Sequence, residues 1–65
     1  MPWNETVEVV AVSVKAALCR YEDVEAWVPF SQVLDDSEIY AGCKVGDTGT
    51  IVIPEWLAQE KGWML

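Results

Sequence analysis

A chain of 65 residues with 11 acidic and 4 basic side chains, a net charge of −7, has room for one small domain. It lacks the basic footprint of a nucleic-acid binder, so nucleic acid is not expected as a partner. Apolar residues make up 52% of it. That is more than so small an interior can hold, so a homo-oligomer is expected, with a two-fold dimer first in line.

Residues 1–5 read as a lead-in. From residue 6 to residue 21 the sequence TVEVVAVSVKAALCRY alternates by twos and is rich in valine, which predicts strand. The span exceeds an ordinary strand of about 5–6 residues. Val10, Val12, Val14, Ala16 and Leu18 fall on one face; Val7, Val9, Ala11, Ala17 and Cys19 fall on the other. Both faces are therefore partly apolar. Either the strand bends around a small barrel, with a bulge near residues 13–15, or a second subunit covers one face.

Glu22 and Asp23 fit the loop of a hairpin leading into VEAWVP. In that register Tyr21 opposes Val24, Arg20 opposes Glu25, Cys19 opposes Ala26 and Leu18 opposes Trp27. The turn holds neither Gly nor Asn, which argues against a two-residue primed turn. A longer loop would shift the pairing. Trp27 lies in this sheet, and its replacement by alanine is expected to unfold the chain.

Pro29 has no N–H to donate and ends the ladder. Residues 30–34 continue as a strand or a single helical turn, and DDSE is a solvated acidic loop. Residues 46–49 form a turn before a short apolar strand over 50–53. Pro54 at the first helical position, Glu55 in the first turn, Lys61 in the last and Gly62 as a left-handed stop predict a closing helix. Trp63 is expected to fold back over Leu57 or Ala58. The fold class is mainly β: a small antiparallel β-barrel or curved sheet of three to five strands with a short C-terminal helix, in one domain over residues 1–65.

Catalytic chemistry is not in evidence. The chain has no histidine, so no serine, threonine or cysteine has that base beside it. Gly46, Thr48 and Gly49 are not followed by the lysine of a phosphate loop. The DDSE run lacks calcium-loop spacing, and two cysteines without histidine make no zinc site. No enzyme, cofactor or metal is expected. The start MPWNE has no signal-peptide features, and no apolar run reaches the ~20 residues of a membrane helix. A cytoplasmic protein without membrane contact follows, with Cys19 and Cys43 reduced. What remains is the aromatic load. Trp27, Phe30, Tyr40, Trp56 and Trp63 are the candidates for ligand or partner binding. Arg20 and Lys44 are the scarce cations that a phosphate-bearing ligand would meet.

Two stretches carry a resemblance. Residues 25–33, EAWVPFSQV, resemble a W-[IVL]-P-x-S-Q-[IV] block, and residues 53–63, IPEWLAQEKGW, resemble an I-P-E-W-L-A-x-E-K-G ending. With Glu5 and Thr6 ahead of the valine-rich segment, the chain is similar over most of its length to small phage and prophage proteins. Phe30 departs from the pattern, where lysine is expected; the change removes a positive charge beside Trp27. The resemblance implies a phage origin and a place in the host cytoplasm, with no catalytic signature to carry over. Such a protein is expected to act by binding. The first reading is an inhibitor of host defence that binds a defence protein or sequesters its nucleotide signal in an oligomer. The alternatives are a replication accessory protein on single-stranded nucleic acid and a structural phage subunit.

Overall fold

In the computed structural model, which describes residues 2–64, the long valine-rich segment is two strands and not one. β1 (Trp3–Val12) and β2 (Ala16–Tyr21) are joined by a tight turn at residues 13–15. Ser13 builds that turn. Its backbone N–H donates to the Ala16 carbonyl at 2.8 Å, and its hydroxyl donates to the same carbonyl and accepts from the Ala16 N–H, each at 3.1 Å. Such local serine bonds compete well with strand continuation. The expected lead-in belongs to the sheet, since Trp3 pairs with Ile53.

The bulge lies at Val10, where the β1–β2 register shifts between Val9 and Ala11. It accounts for the doubled alternation without a second subunit. Side chains alternate with a period of two, so one inserted residue exchanges the faces. Val7 and Val9 point to the core before the bulge; past it Val12 pairs with buried Ala17, while Ala11 pairs with Leu18 on the opposite face.

β3 (Val24–Pro29) returns along β2 in the register read from the sequence, from Tyr21 opposite Val24 to Ala16 opposite Pro29. The turn is a two-residue one, contrary to expectation. Glu22 and Asp23 both take positive φ, 52° and 64°, in place of the Asn and Gly that such turns favour. A single 3₁₀ turn over Phe30–Gln32 follows. Residues 33–47 then carry the chain across to β4 (Thr48–Ile53), which pairs antiparallel with β1. The turn before β4 lies earlier than expected: the Asp47 N–H donates to the Lys44 carbonyl at 3.0 Å and the Lys44 N–H to Asp47 Oδ2 at 2.8 Å.

The sheet order is β3-β2-β1-β4. The two edge strands do not meet, so the sheet is open and the expected barrel is not formed. Its core face is covered by a helix and a loop instead of by closure. The helix α1 (Glu55–Glu60) follows β4 directly, with Pro54 as its N-cap rather than its first residue. Gly62 (φ 81°) turns the chain left-handed, the Gly62 N–H reaches the Gln59 carbonyl at 3.1 Å and the Trp63 N–H reaches the Ala58 carbonyl at 3.0 Å. This is the paired-bond helix stop in which glycine avoids the Cβ clash. Leu57, Ala58 and Trp63 are thereby set onto Val7, Val9, Cys19, Val28, Ile51 and Ile53. Trp63 stacks on Trp3 at 5.4 Å, Trp3 meets Tyr21 edge-on at 5.1 Å, and the Trp63 indole N–H donates to the Val24 carbonyl at 2.9 Å. The buried indole is thus both packed and hydrogen-bonded. Cys19 and Cys43 are both free thiols. Burial pushes the Cys19 thiol up from its ordinary 9.0 to about 11, so it is a neutral packing group.

The two edges of the sheet differ. Along β4 the outward groups of Thr50 and Val52 are all taken by residues 34–39. The Glu38 N–H donates to the Thr50 carbonyl (2.7 Å) and the Leu34 N–H to the Val52 carbonyl (2.8 Å). Glu38 Oε1 accepts from the Thr50 N–H (2.8 Å), and the Ser37 hydroxyl accepts from the Val52 N–H (2.7 Å) while donating to its carbonyl (3.1 Å). Gly49 makes room for this wrap, because a Cβ there would lie 3.1 Å from that of Glu38. Along β3 the tight turn makes Val24, Ala26 and Val28 the residues bonded to β2, a phase that the Phe30 N–H continues to the Lys15 carbonyl at 2.8 Å. Glu25 and Trp27 therefore direct their N–H and C=O groups away from the sheet. No described residue pairs with them.

Candidate functional site

The face of the sheet opposite α1 carries a cross-strand row of charge. Glu8 on β1, Arg20 on β2 and Glu25 on β3 lie side by side in register. The Arg20 guanidinium hydrogen-bonds Glu8 and stands 3.7 Å from Glu25 Oε2. That hydrogen bond first, and the charge of Glu8 next, hold Arg20 above its ordinary range. The row is exposed, so it contributes little to stability. Its effect is to occupy the guanidinium. The hollow beside it is lined by Thr6, Glu8, Arg20, Tyr21, Glu22 and Asp23, an acidic setting that suits a cation and repels a phosphate.

The next row on this face is apolar. Leu18 lies between Ala11 and Trp27, and the Trp27 indole is 45% exposed. Trp27 is in the sheet, as the sequence indicates, but on its outer face. The core does not depend on it, and the expected unfolding on its removal does not follow.

Two other exposed aromatics lie elsewhere. Trp56 is 55% exposed in the first turn of α1, where Pro2, Leu34, Pro54 and Glu55 share with it an open, largely apolar cleft. Tyr40 is 60% exposed in the loop that also carries Lys44. The remaining two candidates are inside. Trp63 is 7% exposed and fills the core, while Phe30 is half-buried against it. So Trp27 and Arg20 share one face, Tyr40 and Lys44 share one loop, and Trp56 stands apart at the β4 end. Leu18 and Leu34 complete two of these surfaces and were not singled out beforehand. Leu18 had a signal, the register that sets it against Trp27. Leu34 had none, since its place depends on a bond to Val52 across the wrap.

Among the described residues no cluster of His, Cys, Asp or Glu could hold a metal ion, and no helix is long and apolar enough to cross a membrane. No protein-family model matches the chain, and neither a curated protein nor a solved structure does.

Proposed function

We propose that the chain is a non-catalytic, phage-type binding protein that inhibits a host defence system by docking the outer face of its sheet on a defence protein. The observation that supports this most is the juxtaposition on one face of an exposed Trp27 beside Leu18 with the Glu8–Arg20–Glu25 row. An aromatic anchor with a charged rim is the pattern of a protein interface. The acidic side chains suit a basic, nucleic-acid-binding target, where they stand in for phosphates. Sequestration of a nucleotide is the weaker reading, because Arg20 is already engaged by two carboxylates. A single-strand binder would need a basic groove, and the hollow on this face is acidic.

The test is capture from host lysate with wild-type protein and the variants Trp27→Ala and Tyr40→Ala, followed by native mass spectrometry. A partner retained by wild type and Tyr40→Ala but lost with Trp27→Ala supports the outer face. A partner held equally by all three refutes it. Added mass matching a nucleotide, with no protein, moves the reading to sequestration.

A further inference from the structure

We infer that β3 is the contact through which two copies of the chain join, edge to edge, into one continuous antiparallel sheet about a two-fold axis at Ala26. The inference rests on the backbone edge of the sheet and not on the docking reading above, although Glu25 and Trp27 belong to both surfaces.

The argument begins with the unequal edges. An edge strand with free N–H and C=O groups is a template for another strand. The chain covers that template on β4 with Leu34, Ser37 and Glu38, through side chain and backbone together. Among the described residues none covers β3 at Glu25 and Trp27. Nor does β3 carry the usual deterrents along its middle. Pro29 is at its end, and its one charged residue, Glu25, is paired with Arg20.

The register follows from the same residues. Antiparallel strands related by a two-fold axis can pair only residue i with residue j of the copy and j with i. Pairing Glu25 with Glu25 would set two carboxylates opposite each other, which is unfavourable. Pairing Trp27 with Trp27 would set Glu25 against Pro29, which has no N–H to give. Placing the axis at Ala26 avoids both. Glu25 of one copy then faces Trp27 of the other, and each such pair exchanges both of its N–H···O bonds. All the outward groups of Glu25 and Trp27 are satisfied. Ala26, the smallest side chain on the strand, sits at the axis on the core side, and Val24 faces Val28. On the outer face each Trp27 comes to rest beside the Glu25 of the other copy, so that like charges are kept apart in a molecule of charge −7. A strand from a different protein could use the same backbone groups. The self-complementary spacing of Glu25, Ala26 and Trp27 favours a second copy.

Sedimentation velocity of wild type, Glu25→Gln and Glu25→Pro tests this. Wild type and Glu25→Gln are expected at twice the 7.3 kDa monomer mass, and Glu25→Pro at the monomer mass. Proline at position 25 removes an outward N–H and leaves the β2 ladder intact. A monomeric wild type overturns the inference, as does a Glu25→Pro variant that remains dimeric. Amide exchange on wild type needs no variant to fold. The Glu25 and Trp27 amides should be protected in the dimer and lose that protection on dilution, while Ala26 and Val28 stay protected. Unprotected Glu25 and Trp27 amides in a dimeric sample would place the contact elsewhere.

Discussion

β3 and β4 are edge strands of the same sheet and of the same length, yet they meet solvent in different ways. β4 is covered on its open side by a backbone wrap and presents three consecutive buried residues, Ile51, Val52 and Ile53. β3 alternates, with Ala26 and Val28 inward and Glu25 and Trp27 outward, and no described residue covers its edge. The difference shows that burial and edge protection go together. A strand that the core needs on more than one side is wrapped. A strand with one buried face is left open, and its outward side is free for another use.

The comparison can be broken most severely at Ile51. Ile51→Ala removes a branched side chain from the core under the wrapped edge and should cost about 2–5 kcal/mol, read as a shift in the urea midpoint. Ser37→Ala takes away the hydroxyl that serves both the N–H and the C=O of Val52, and should cost about 1–3 kcal/mol. Equal stability in that variant would mean that the wrap is held by its backbone bonds and the Glu38 carboxylate without the Ser37 hydroxyl. The turn that opens β3 can be improved. Replacing Glu22 by Asn and Asp23 by Gly relieves two left-handed residues, each costing roughly 1–2 kcal/mol, and should raise the melting temperature. No rise would show that the turn is not strained. The smallest effect belongs to the open side. Trp27→Ala should change stability by less than about 1 kcal/mol while changing association.

A pH series sharpens the picture of the shared core. The Cys19 thiol ionises near 9.0 when unfolded and near 11 when folded, so the folded chain holds that proton more tightly. Its contribution is whole below pH 9 and is lost as pH rises from 9 toward 11. Thermal melts should fall over that window. The fall should be shallower in Cys19→Ala, though not absent, because burial raises the Tyr21 hydroxyl in the same direction.

Much of this was legible in the residues. The β2–β3 register followed from placing two residues in the loop, and Gly62 and Pro54 bounded the helix to within a residue. The hidden parts share a cause. The break at Ser13 and the bulge at Val10 leave a valine-rich alternation that looks continuous, because a turn built on one serine hydroxyl has no Gly or Pro to mark it. The barrel expectation rested on two apolar faces that the bulge had merely exchanged. The candidate aromatics could be named but not sorted. Whether a tryptophan is inside depends on which neighbours arrive from far along the chain, as Trp3 does for Trp63.

That last dependence sets an order of events in folding. β1, β2 and β3 are joined by short turns, so their pairings are local in sequence. β4 must find β1 across the length of the sheet's other strands, from Thr48 with Glu8 (48 − 8 = 40 residues apart) to Ile53 with Trp3 (53 − 3 = 50 apart). Contacts so far apart in sequence form more slowly than local ones. The core is closed where the last aromatic residue in the sequence, Trp63, settles on the first, Trp3.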